Sequence, residues 1–113
     1  MTDAAAIAAI IEQYKKHGWE LRRVLLSREL GEALGSTELF ADADVRLAPN
    51  DGMWFSRRSF PDREAWELRR ISSAPFAVVA VIPDGLTDEE RDEMLSDAEE
   101  RMFDPARPKE ASH

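Results

Sequence analysis

Cysteine is absent from this 113-residue chain. Its absence removes disulfides, thiol nucleophiles and thiolate metal ligands together. Histidine is nearly absent as well, with only His17 and His113. A Ser-His-Asp triad or a multi-histidine zinc site would have to be built on His17 almost alone. The five glycines, at 18, 31, 35, 52 and 85, never fall into a G-x-G-x-x-G or P-loop spacing. No apolar run approaches the ~20 residues that a membrane-spanning helix needs. The longest is the stretch 75–83. Asp3 precedes the first apolar stretch, and Lys15 and Lys16 follow it. A secretory leader has the reverse polarity, so a cytoplasmic protein is expected.

What is abundant is charge, unevenly placed. Residues 84–104 hold ten acids against Arg91 and Arg101, and the net charge of the whole chain is −8. The rest of the sequence is close to neutral. An acidic segment repels phosphates, so a nucleic-acid partner is not expected. The plain reading of 88–103 is a solvated helix face; the functional one is a docking surface for a basic protein partner.

The length suits one domain. Residues 1–104 read as that domain and 105–113, with two prolines and no apolar period, as a flexible tail. Ile7, Ile10, Ile11 and Tyr14 form one helical stripe over 4–17, with Gly18 placed to stop it. Residues 19–26 change to strand period. Ser27 and Gly35 bracket a short helix, Leu39 and Phe40 are candidate core plugs, and 44–47 is a short strand. "APNDG" at 48–52 is a turn signal. Strands follow at 53–58, 65–72 and 76–82, the last apolar on both faces and so read as central or covered. "LTDEE" is a capping box that opens a helix over 88–103, with Met94, Leu95, Ala98 and Met102 as its stripe.

Strands and helices are segregated rather than alternating, which predicts an α+β two-layer sandwich. Its antiparallel sheet of four or five strands would carry the N-terminal and C-terminal helices on one face. Two helices on one face would leave the other apolar and bare. A homodimer through that face, or through a sheet edge, would cover it.

Twelve of the fifteen basic residues are arginines. Six come as pairs on strands: Arg22–Arg23, Arg57–Arg58 and Arg69–Arg70. The pentapeptide "WELRR" occurs at 19–23 and again at 66–70. Successive strand residues point to opposite faces, so each pair should place one arginine on each face. As a functional constellation, Arg57, Arg58, Arg69 and Arg70 would fork onto a carboxylate or phosphate while Trp54 and Trp66 stack beside it. As structure, Glu20, Arg22, Glu67 and Arg69 would form a cross-strand charged ladder, with Arg23 and Arg70 lying along tryptophans. Asp44, Asp51, Glu64 and Glu67 are the carboxylates Mg²⁺ would use. However, a strand Glu-x-Lys nuclease needs lysine where this chain has Arg69, and no metal or other cofactor is called for.

Three functions fit these observations. The leading one is a non-enzymatic, dimeric binding or interaction module. The alternatives are a small-molecule or anion-binding domain built on the strand arginines and tryptophans, and a small cofactor-free or Mg-dependent enzyme using sheet carboxylates.

Overall fold

The computed structural model describes residues 4–35, 38–41, 43–71 and 77–103. The proposed tail 105–113 and the "SAP" connection at 73–75 lie outside the described residues. Within them the elements run α1 (Ala4–Lys16), β1 (Glu20–Leu26), α2 (Arg28–Leu34), a 3₁₀ turn at Glu38–Phe40, β2 (Asp44–Leu47), β3 (Gly52–Phe60), β4 (Arg63–Arg70), β5 (Ala77–Pro83) and α3 (Asp88–Phe103). The class is α+β, with a five-stranded sheet in the order β2-β1-β3-β4-β5.

Local chemistry sets the helix ends. Gly18 adopts a positive φ of 87°. Its N–H then reaches the Lys15 carbonyl and the Trp19 N–H reaches that of Tyr14, closing α1 in a Schellman motif. The Ser27 hydroxyl accepts from the Leu30 N–H at 3.2 Å and starts α2. The Asp51 carboxylate holds both the N–H and the hydroxyl of Ser27, tying α2 to the start of β3. At α3, the Thr87 N–H donates to Glu90 Oε1 at 2.9 Å and the Glu90 N–H donates to Thr87 Oγ1 at 3.1 Å, the reciprocal bonds of a capping box.

Two features of the sheet differ from expectation. One strand pair is parallel: β1 and β2 run the same way, because α2 and the 3₁₀ turn carry the chain back across the sheet between them. The other pairs are antiparallel. The terminal helices also flank the sheet, one on each face, rather than sharing a face. Alternation along β1 and β3 shows this directly. Val24, Leu26, Met53 and Phe55 pack with Ile7 and Ile11 of α1, and Phe40 plugs the same cluster. Leu25 and Trp54, one residue out of phase, pack with Leu95, Ala98 and Met102 of α3. Strands that are apolar on both sides receive a helix on each, so the central sheet has no bare apolar face.

β5 is the exception to its own sequence pattern. Its apolar run reads as a central strand, yet it lies at the edge. Val78, Ala80 and Ile82 pack towards α3. Val79 and Val81 point to the α1 face, where α1 does not reach, and are 57% and 44% exposed. Among the described residues, no helix is long and apolar enough to cross a membrane.

Candidate functional site

The six candidate site residues separate by strand parity. Arg57 and Arg69 belong to the α1 face, with Met53 and Phe55. Arg58, Arg70, Trp54 and Trp66 belong to the α3 face. Trp54 is 0% exposed and Trp66 is buried beside it, the two rings meeting edge to face at 6.2 Å. Their surfaces fill the core under α3. The Trp54 indole N–H donates to Glu99 at 2.7 Å, and that of Trp66 donates to Glu64 at 3.2 Å.

Each arginine has a definite partner or place. Arg57 lies over the Trp19 ring at 4.8 Å and donates to the His17 carbonyl at 3.0 Å. Arg70 donates to the Met102 carbonyl at 3.2 Å. These carbonyls end α1 and α3, where the helix dipole is negative, so two of the candidate arginines act as C-terminal helix caps. Arg58 forks onto Asp84 at 3.2 and 3.1 Å and stands 3.8 Å from Glu64 across the strand pair. The hydrogen bonds it donates to Asp84 raise its pKa above the ordinary arginine value. Arg69 lies near Tyr14, whose hydroxyl donates to Glu67. Burial, then the Glu67 carboxylate, push the Tyr14 pKa up to about 12, against the opposing pull of Arg69.

The first "WELRR" copy departs from alternation. A bulge in the β1–β3 register between Leu21 and Arg23 rotates the chain. Arg22 and Arg23 therefore both serve the α3 face. Arg22 lies over Trp66 at 4.7 Å and bonds Ser56, while Arg23 pairs with Asp92 at 2.8 Å and Glu99 at 3.7 Å. In the second copy Trp66, Leu68 and Arg70 share the α3 face, as alternation requires. No charged ladder joins the two copies: β3 separates their strands, and Glu67 and Arg69 lie on the opposite face from Arg22.

The polar centre that does form was not visible as a unit in the sequence. Asp92 sits between Arg23 and Arg46, and Glu99 between Arg23 and Trp54. Arg91 adds a second guanidinium over Trp66 at 5.8 Å. Arg23, Arg46, Arg91, Asp92 and Trp66 line a cleft of about 430 Å³ between β1, β2 and the first turns of α3. Its arginines are matched by Asp44, Asp88 and Asp92, so the arrangement fastens the acidic helix to the sheet. This accounts for part of the acid excess of α3: one side is neutralised by β1 and β2. Glu89, Glu90, Glu93, Asp97 and Glu100 remain exposed.

The sheet carboxylates are dispersed. Asp44 pairs with Arg46, Asp51 holds Ser27, Glu64 accepts from Trp66 and Glu67 accepts from Tyr14. Among the described residues, no three histidine, aspartate or glutamate side chains converge as a cation site.

The remaining surface feature is the edge itself. β2, at the opposite edge, is four residues long, with Asp44 and Arg46 alternating along it. Charges on a short edge strand discourage pairing with another chain. β5 has seven residues, none charged. Beside it, Ala80 and Val81 at the strand edge line an open groove of about 450 Å³ with Glu93, Met94, Asp97 and Arg101 of α3. Met94 is 39% exposed there, outside the stripe of Leu95, Ala98 and Met102. Comparison with protein-family models, with curated proteins and with solved structures finds no match for this chain.

Proposed function

We propose that the chain is a non-enzymatic interaction module that works by strand addition at β5, and that it forms a homodimer there. One observation carries the reading: an uncharged seven-residue edge strand with Val79 and Val81 exposed, its outer backbone unpaired among the described residues. Edge strands of this kind are templates for pairing, and proteins that remain monomeric usually blunt them with charge or by covering them. β2 is blunted in that way and β5 is not. A second copy offers an identical strand, and antiparallel pairing about a twofold axis closes the assembly at two chains. Glu89, Glu90 and Glu100 of α3 would then offer a separate surface to a basic protein partner.

Light scattering at micromolar concentration tests it. The expected mass is that of two chains. Val79→Lys should give the mass of one chain with an unchanged far-ultraviolet circular dichroism spectrum, since Val79 is exposed. A single-chain mass for the unaltered protein up to roughly 100 μM, a concentration at which even a weak edge contact would be populated, would overturn the reading.

A further inference from the structure

The backbone of β5 limits how a second copy can pair with it. The Asp84 N–H donates to the Asp62 carbonyl at 2.9 Å, extending the register in which Arg63 faces Pro83. By alternation, Val78, Ala80 and Ile82 turn their N–H and C=O groups to β4, while Ala77, Val79, Val81 and Pro83 turn theirs outward. Pro83 has no N–H to give. A twofold axis beside Val79 pairs Val79 with its own copy and Ala77 with Val81 of the second copy. This register uses every outward N–H of the strand and leaves Pro83 outside the ladder. An axis beside Ala80 would set Pro83 against Ala77 of the second copy and forfeit bonds at both ends.

The same axis determines what α3 meets. Glu99 bonds Trp54, which stands level with Leu68 and, beyond it, Val78. Two helical residues rise about 3 Å and one strand residue about 3.3 Å. Asp97 therefore stands level with Val79, and α3 runs opposite in direction to β5. A twofold axis at that level sets the two α3 helices antiparallel on the same side of the joined sheet, with the groove-lining sides of both turned towards the axis. Residues equally distant from Asp97 then face one another: Glu93 opposite Arg101 of the second copy, and Arg101 opposite Glu93. Glu93, Asp97 and Arg101, with Met94, are the α3 side chains that line the groove on the open side of β5.

Resting on the strand-addition reading, we propose that α3 selects the partner. Glu93 and Arg101 form reciprocal ion pairs across the twofold axis, closing over the Met94 side chains. They favour a second copy of this chain in antiparallel register over any other strand. Asp97 faces its own copy near the axis and opposes the contact, and Arg101, 3.5 Å from it within the helix, offsets that repulsion.

Charge reversal followed by mixing tests the proposal. Glu93→Arg sets like charges against each other at both contacts, and so does Arg101→Glu. Each variant should weaken the dimer at least about tenfold, as like-charge juxtaposition does. Mixed in equal amounts, they should form a heterodimer of near-original affinity, because both pairings of position 93 with position 101 are then opposite in sign and the Asp97 pair is unchanged. Both positions are exposed, and circular dichroism confirms the fold. If the unaltered protein is a single chain, the strand-addition reading fails and the clasp with it. If Val79→Lys breaks the dimer but neither reversal weakens it, strand addition stands and the clasp is overturned. If both reversals weaken the dimer and mixing does not restore it, the antiparallel facing of Glu93 and Arg101 is overturned.

Discussion

Replacing Glu99 with alanine removes the bond that anchors the buried centre of the sheet to α3. Its carboxylate accepts from the indole N–H of Trp54, a ring with no exposed surface, and stands 3.7 Å from Arg23. Alanine leaves that N–H in the core without a partner, at a cost of about 1–3 kcal/mol. Arg23, whose side chain is 11% exposed, keeps Asp92 at 2.8 Å, so the second loss adds only about 0.5 kcal/mol. The sum is about 1.5–3.5 kcal/mol. For a chain of this length it lowers Tm by roughly 6–15 °C. Glu99→Gln keeps an acceptor for the indole and should cost about 1 kcal/mol. Glu100→Ala, one residue on and exposed, should stay within about 0.5 kcal/mol. Urea denaturation monitored by tryptophan fluorescence measures all three at one protein concentration. Equal midpoints for Glu99→Ala and Glu100→Ala would show that Trp54 does not depend on Glu99 and would refute the reasoning.

Three further outcomes follow from the geometry. Tyr14 is the sole tyrosine, so phenolate absorbance reports it alone; its midpoint should lie near pH 12, and Glu67→Gln should lower it. Because the folded chain holds this proton up to about pH 12 while the unfolded chain releases it near 10.0, the contribution is fully present below pH 10.0 and is lost as pH rises between the two values. Thr87→Ala opens the capping box and should cost about 1 kcal/mol in thermal melts, with loss of protection at the first turn of α3 in hydrogen exchange. Leu95→Ala leaves a cavity among Trp54, Trp66 and Leu68 and should cost about 2–5 kcal/mol by denaturant titration.

Much of the scaffold was legible because it depends on neighbours in sequence. The brackets of α2, the Schellman glycine after α1 and the capping box of α3 all use bonds within a few residues. So does the alternation that put β1 in the sheet interior. The arginines were harder to read. Arg57 and Arg70 look like ligand-binding groups in sequence, yet they cap helices whose last carbonyls lie 40 and 32 positions away. A cap supplied from another element leaves no local signal. The bulge at Arg22 was equally silent: one extra residue moves Arg23 of the first "WELRR" copy from the side of Trp19 and Leu21 to that of Arg22, and no glycine marks it. Met94 reads as core beside Leu95, but only the tilt of α3 over the sheet decides which of two adjacent apolar residues is buried.

By itself the sequence determined the elements, because periodicity and capping are local physics. It also determined what chemistry is excluded, because absent side chains cannot act. Tertiary structure alone decided that α1 and α3 occupy opposite faces, that Asp92 and Glu99 answer Arg23, and that β5 lies at an edge. An apolar strand is equally suited to the middle of a sheet or to a partner's sheet. Which of these it meets depends on where the chain has already placed β1, β3 and β4.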